Sequence, residues 1–135
     1  MAPSNTEIVR RFWELALVHR DLALAMGLTH ADVVFDWSDS RAPYRGLYRG
    51  IDEVRGAWQT WLEAWDEWRP AVEAIEVDPE TVVIVTQVQA RGKGSGVTVS
   101  AQGASVWNLR DGKITRGKLF QSKDEALAAV SPPAT

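Results

Sequence analysis

The chain has 135 residues, a formal net charge of −3 and no cysteine. This length fits one domain, and the absence of cysteine excludes disulfides, zinc–thiolate sites and thiol catalysis. The 15 basic and 18 acidic side chains provide no positive excess to neutralise phosphates, and no apolar run approaches a membrane span. With no secretion signal and two histidines, we expect a cytoplasmic protein without a metal, cofactor, nucleic-acid or membrane partner.

Two helices are predicted near the N-terminus. Ser4 and Glu7 fit an S-x-x-E capping box, and apolar residues then recur at helical spacing over residues 8–16. Asp21 is a suitable cap for a second, short helix over residues 22–26.

A strand pair and a long helix follow. Residues 33–37 predict a strand, residues 38–43 a loop, and residues 44–48 a short partner strand. The apolar spacing from residue 51 onward predicts a long helix, which ends near Trp68 because Pro70 cannot continue it.

The remaining chain is mostly β-structure. Asp111-Gly112 is a hairpin signal between two β-branched runs, so those strands should be antiparallel. The element order predicts an α+β fold with helices on one face of an antiparallel sheet, in a single domain over residues 1–135 with a core of about 7–129. The predicted late elements are strands at 71–77, 81–90, 97–109 and 113–120 and a helix at 123–129.

Seven tryptophans in one small domain are the most unusual feature of the composition. Helical spacing places Trp58, Trp61 and Trp65 in one stripe, opposite a stretch of mostly small residues at 101–105. Three interpretations remain open: the indoles fill the interior, they wall a cavity for a flat or cyclic molecule, or some of them lie in a dimer interface.

The same residues resemble a known group of proteins. DVVFDWS at 32–38, YRG at 48–50 with the Trp-rich helix that follows, and VWNLRDGKI at 106–114 look like the SnoaL-like branch of the nuclear-transport-factor-2-like superfamily. The resemblance implies a cone-shaped, curved antiparallel sheet wrapped around about three helices, also called a cystatin-like roll. It further implies a pocket inside the cone and a homodimer.

The catalytic sets of the family do not match this chain. Against ketosteroid isomerases, the resemblance places Phe12 at the position of the oxyanion tyrosine and Ala104 near that of the oxyanion aspartate. Against polyketide cyclases, Ser105 stands where an aspartate is expected, and the strands at 81–90 and 97–109 lack the acids of the epoxide hydrolases. The fold therefore does not name a reaction.

Asp36 is the one acid inside a predicted apolar strand, and it is the candidate catalytic residue. Beside aromatic walls its pKa would rise by desolvation, as a general base requires. If Val33, Phe35 and Trp37 face the core instead, strand alternation turns Asp36 outward, as an ordinary solvated or ion-paired acid.

We therefore expect a domain with a Trp-lined apolar pocket for a small apolar or cyclic molecule. Its activity is unassigned among isomerase, cyclase and hydrolase chemistry, and the alternative is a non-catalytic homodimeric binding or structural domain. Gln87 and Gln102 are expected at a depth of their strands where an unpaired amide is costly, so each should bind the ligand or pair within the chain. Arg116 should bind a carboxylate or form an ion pair. The candidate ligand-binding residues are Phe12, Trp37, Tyr48, Trp58, Trp61, Gln87, Gln102, Trp107 and Arg116.

Overall fold

The computed structural model describes residues 4–38, 46–63, 65–78, 80–92, 94, 96–120 and 122–130. The helices are α1 (Asn5–Trp13), α2 (Leu22–Met26), α3 (Gly50–Glu63) and α4 (Lys123–Val130), and a π-helical turn (Glu14–Val18) follows α1 directly. The strands are β1 (Thr29–Asp36), β2 (Leu47–Arg49), β3 (Trp65–Asp78), β4 (Thr81–Gly92), β5 (Thr98–Arg110) and β6 (Lys113–Phe120).

The predicted helix starts are confirmed. The Ser4 hydroxyl accepts a hydrogen bond from the Glu7 amide at 3.2 Å, and the Asp21 carboxylate accepts one from the Leu24 amide at 3.1 Å. Each side chain satisfies an amide that the first helical turn leaves without a partner.

The π-helical turn is not predicted by the apolar spacing of the sequence. The amide of His19 donates to the carbonyl of Glu14 at 3.0 Å, a spacing of five residues rather than four. Leu15, Ala16 and Leu17 inside this turn are all buried, so the apolar pattern does not distinguish the wider turn from a regular helix.

All six strands form one sheet in the order β2-β1-β6-β5-β4-β3. The α+β class is confirmed, but the prediction of a wholly antiparallel sheet is wrong, because β1 runs parallel to β6. That pairing joins elements far apart in sequence, so no local turn signal predicts it. Irregularities in register between Thr29 and Val34 and between Asn108 and Leu109 interrupt the pairing, and such bulges bend a sheet.

The predicted end of the long helix is also wrong. Helix α3 stops at Glu63, and from Trp65 the chain is already strand, with the backbone of Trp68 paired to Ala90. Aromatic residues fit a strand as well as a helix, and pairing along β4 decides between the two. Pro70 lies inside β3, which the edge position of that strand permits because one row of its backbone groups has no ladder partner.

The first strand pair is displaced from its predicted position. β1 begins at Thr29, earlier than residue 33, and β2 is Leu47–Arg49 rather than 44–48. Most of the predicted loop at 38–43 and the start of the predicted partner strand lie outside the described residues.

The sheet has two distinct faces. The inner face, which packs against α1 and α3, contributes Phe35, Ile84 and Trp107 to the main core. On the outer face, Val106 and its strand neighbours pack against Ala126 of α4 in a second, smaller cluster. Side chains therefore alternate between two cores along the central strands.

Gly117 of β6 leaves space for the largest ring of the inner face. It pairs with Trp107 across the ladder, and a methyl group placed on Gly117 would lie 3.3 Å from the Trp107 ring. Trp107 is only 2% exposed and is surrounded by other rings, so it has no room to move aside.

We expect Gly117→Val to lower the free energy of unfolding by about 1–3 kcal/mol, because the added side chain overpacks the space beneath Trp107. Urea denaturation at pH 7 measures this loss. Gly56→Ala is the control: Gly56 lies in α3 with no atom within 4 Å of the new methyl group, so that variant should be neutral or more stable. Equal stability for wild type and Gly117→Val would contradict the packing argument.

Candidate ligand-binding site

Eight aromatic side chains from five elements meet on the inner face of the sheet, and together they form the aromatic cluster. They come from α1, β1, β2, α3 and β5, with Trp37 directly after the end of β1. Each ring packs against at least one other, with centroids 5.3–6.4 Å apart. Its members are Phe12, Trp13, Phe35, Trp37, Tyr48, Trp58, Trp61 and Trp107.

Phe12 lies at the centre of this cluster. Its ring centroid is 5.8 Å from that of Phe35, 5.6 Å from that of Trp58 and 5.3 Å from that of Trp107. The rings meet in tilted or edge-to-face orientations, which place ring edges against ring faces. Phe12 therefore joins helix α1 both to the sheet and to α3, as its neighbour Trp13 also does through Trp107 and Trp58.

At one side the aromatic cluster reaches the surface. Trp37 is buried, but its ring contacts Tyr48 at 5.6 Å and Trp61 at 6.1 Å, and both of these are only partly buried. Beside Tyr48, an open groove of 440 Å³ runs along α3 past Gly56 and Thr60. The groove exposes Tyr48 to a molecule from solvent, and Glu53 and Ala57 complete its lining.

The polar groups of the interior are few. The indole nitrogen of Trp107 donates to the hydroxyl of Ser105 at 2.7 Å, in a fully buried hydrogen bond. The indole nitrogens of Trp13 and Trp58 are also buried, yet neither has a hydrogen-bond partner within the part of the chain that the structure describes. The buried polar residues over that same part are Thr29, Thr81, Thr86 and Ser105, none of which ionises near neutral pH.

Asp36 lies away from this interior. Val33, Phe35 and Trp37 are buried on the inner face, so Asp36 points to the outer face, as the second alternative predicted. Its carboxylate is 3.5 Å from the guanidinium of Arg116 and 4.0 Å from the ammonium of Lys118.

The surroundings of Asp36 favour its charged form. Partial burial raises the pKa of Asp36, but hydrogen bonds from the hydroxyl and amide of Ser38 and the charges of Lys118 and Arg116 outweigh burial. The net result is a pKa below the usual value of 3.8. A carboxylate with a lowered pKa is a weak proton acceptor, so the expected rise by desolvation against aromatic walls does not occur.

The polar candidates Gln87, Gln102 and Arg116 also lie on the outer face. Gln87 and Gln102 are cross-strand partners in β4 and β5, and both are exposed, so the expectation that they lie at a buried depth is wrong. The Gln87 amide donates to the hydroxyl of Ser100 at 3.3 Å, and Arg116 forms the ion pair with Asp36. Strand alternation fixes which residues share a face, but not which face packs against the helices.

The aromatic cluster thus contains Phe12, Trp37, Tyr48, Trp58, Trp61 and Trp107 of the sequence candidates. Two further residues, Trp13 and Ser105, belong to the same interior. The helical spacing marked Trp13 as apolar, but no sequence signal shows that its nitrogen lacks a partner.

The sequence profile described as a SnoaL-like domain matches residues 9–117, and the chain belongs to this family. No curated protein matches the chain at the level of sequence. None of the helices among the described residues is long and apolar enough to cross a membrane.

Solved structures share the fold at low sequence identity. TerC, crystallised with polyporic acid, is 20% identical with a TM-score of 0.74, over 92% of this chain and 98% of TerC. An NTF2-like protein of Burkholderia pseudomallei is 23% identical with a TM-score of 0.76, over 95% and 98% of the two chains. A Mycobacterium tuberculosis protein in complex with estradiol-17beta-hemisuccinate is 18% identical with a TM-score of 0.71, over 90% and 97%.

Ser105→Ala should lower the free energy of unfolding by about 1–3 kcal/mol, because it leaves the buried Trp107 nitrogen without an acceptor. Urea denaturation measures the loss. Ser100→Ala on the same strand is the matched control: Ser100 is exposed, and its removal should cost less than about 0.5 kcal/mol. Losses of equal size in the two variants would show that the Trp107 hydrogen bond adds no stability.

Asp36→Asn should lower the free energy of unfolding at pH 7 by about 1–2 kcal/mol, because it removes a charge that Ser38, Arg116 and Lys118 stabilise. The folded pKa lies below the unfolded one, so the unfolded chain takes up the proton first as the pH falls. The difference in unfolding free energy between wild type and variant should therefore stay constant above about pH 5. It should shrink as the pH falls through 3.8 toward the lower pKa of the folded protein.

Denaturant titrations of both proteins from pH 3 to pH 7 test this dependence. Asp32→Asn is the control on the same strand: its side chain is 93% exposed, and its loss should change stability by less than about 0.5 kcal/mol. A difference in unfolding free energy that grows toward low pH would contradict a lowered pKa for Asp36.

Proposed function

We propose that this chain binds a small, ring-containing, largely apolar molecule at the aromatic cluster. The observation that carries the proposal is the continuity of the cluster from the buried core to the partly exposed rings of Tyr48 and Trp61. Flat rings offer large contact areas at little entropic cost, and they match the faces of cyclic ligands.

The chemistry of the interior supports binding of an uncharged molecule. Among the described residues, the buried polar groups are hydroxyls and indole nitrogens, with no buried ionisable side chain. A charged ligand placed there would lose its hydration without gaining a counter-ion. An apolar ring system with few polar atoms meets no such penalty.

The related structures support the coarser class of a small organic ligand and do not bear on its charge. TerC was crystallised with polyporic acid, and the Mycobacterium tuberculosis protein with estradiol-17beta-hemisuccinate. Since these proteins share the fold of this chain, binding of a small organic molecule is a use that the fold accommodates. The homodimer implied by the family resemblance remains a prediction and is not needed for this proposal.

The proposed function does not use Asp36 as a base. The carboxylate points to the outer face, is paired with Arg116 and Lys118, and has a lowered pKa. These features favour a structural ion pair over proton transfer. A catalytic role for Asp36 remains a prediction from sequence, and Asp36→Asn tests it whenever a turnover is found.

Titration of tryptophan fluorescence with estradiol, 9-fluorenone and limonene oxide tests the proposed binding. We expect saturable quenching or a spectral shift with at least one of these probes, because the ligand changes the surroundings of the indoles. Calorimetry then gives the affinity in variants. Trp61→Leu should weaken binding about 5- to 30-fold, because it removes an accessible ring of the cluster.

Gln102→Leu is the matched control on the outer face. Gln102 is exposed and lies away from the aromatic cluster, so its replacement should leave the affinity within about two-fold. If Gln102→Leu weakened binding while Trp61→Leu did not, the ligand would lie on the outer face, and this site would be wrong. A flat response to all three probes would contradict the proposed function.

A further inference from the structure

Two indole nitrogens in the aromatic cluster lack an acceptor. Trp13 of α1 is 7% exposed and Trp58 of α3 is 5% exposed. Neither nitrogen has a hydrogen-bond partner among the residues that the structure describes. The two rings meet edge to face, with centroids 6.2 Å apart and planes at 85°, so two unpaired donors lie in the same part of the interior.

Unpaired buried donors of this kind are uncommon in native proteins. Buried tryptophan nitrogens usually find a partner, and each exception calls for a physical explanation. The chain supplies such a partner for Trp107, whose nitrogen donates to Ser105 at 2.7 Å. The same interior therefore satisfies one indole and leaves two without an acceptor.

The backbone beside Trp13 is also irregular. The π-helical turn Glu14–Val18 begins at the next residue, and its wider winding changes the helical positions of the side chains that follow. Such turns occur frequently at functional sites. This irregularity and the unpaired nitrogen of Trp13 fall at the same point of the chain.

We propose that the indole nitrogens of Trp13 and Trp58 donate hydrogen bonds to an acceptor oxygen of the ligand. This inference rests on the proposed function and specifies its ligand class: ring systems that carry a carbonyl, quinone or ether oxygen, rather than pure hydrocarbons. A carbonyl oxygen has two lone pairs, so one atom is able to accept from both donors. Among the described residues no buried ionisable side chain accompanies these donors, so a neutral oxygen avoids the cost of burying a charge without a counter-ion.

The inference is tested with two probes of nearly equal shape, fluorene and 9-fluorenone, which differ by one carbonyl oxygen. Calorimetry should show 9-fluorenone binding about three- to ten-fold more tightly than fluorene, as one or two net hydrogen bonds provide. Trp13→Phe and Trp58→Phe should each reduce the ratio of these two affinities toward one.

Trp107→Phe is the matched control. It removes a ring of the same cluster whose nitrogen is already paired with Ser105, so affinity for both probes should fall while their ratio is kept. The ratio is insensitive to a general loss of packing, which affects both probes alike. A ratio that falls equally in all three variants would overturn the assignment to Trp13 and Trp58.

A second measurement needs no variant that preserves the fold. In proton–nitrogen spectra of the labelled wild type, 9-fluorenone should move the indole proton signals of Trp13 and Trp58 downfield, as hydrogen bonding to oxygen does. Fluorene should move them only through ring currents. The two signals are assigned in the wild type from through-space contacts of each indole with its ring neighbours, Phe12 and Phe35 for Trp58 and Trp107 for Trp13.

The outcomes separate this inference from the proposed function. Equal affinity for the two probes, without a downfield shift, would overturn the role of the nitrogens and leave the aromatic site standing. Failure of every ring compound to bind would overturn the proposed function, and this inference with it. Tighter binding of 9-fluorenone with shifts confined to the other indoles would also overturn the inference.

Discussion

The contact of Phe12 with rings from β1, α3 and β5 is the interaction on which the rest of the structure depends. It joins the first helix to the long helix and to the sheet within 6 Å, although these elements are far apart in sequence. Trp107, one of these rings, constrains its own neighbours. A side chain on Gly117 would lie too close to the Trp107 ring, and the buried hydroxyl of Ser105 accepts the hydrogen bond of the Trp107 nitrogen. The aromatic interior thus selects small residues on β5 and β6, in addition to large ones on the helices.

The same interior separates apolar contacts from charge. The aromatic cluster occupies much of the sheet face toward α1 and α3, whereas the charged Asp36 lies on the outer face and pairs with Arg116 and Lys118. The family resemblance places Phe12 and Ser105 at positions where catalytic relatives carry an oxyanion tyrosine and an acid. Proton transfer inside a SnoaL-like fold requires an acid or base on the inner face. In this chain these two positions hold a ring and a hydroxyl, neither of which ionises near neutral pH.

Local signals predicted much of this fold, and long-range pairing decided what they missed. The capping by Ser4 and the α+β class follow from spacing, which the chain itself contains, whereas strand alternation gave the outward face of Asp36 as one of two alternatives. The strand at Trp65 and the parallel pairing of β1 with β6 depend on partners distant in sequence. Gln87 was expected in the interior because alternation gives relative faces only, and the helix contacts that choose the inner face are tertiary. Six of the eight cluster rings were predicted as ligand contacts, because large aromatic side chains usually pack in an interior.

The unpaired nitrogens of Trp13 and Trp58 link stability to recognition. Each buried donor without an acceptor costs about 1–3 kcal/mol relative to a paired one, so the free protein is less stable than its packing alone would allow. A ligand oxygen that accepts from these donors recovers part of that cost, and the recovered free energy appears as affinity. A ligand without such an oxygen gains ring contacts only. An acceptor supplied by the protein, as Ser105 is for Trp107, would stabilise the free chain and remove this selectivity. In the proposed binding mode, the residues that make the interior less than optimal as a core are therefore those that would distinguish one ring compound from another.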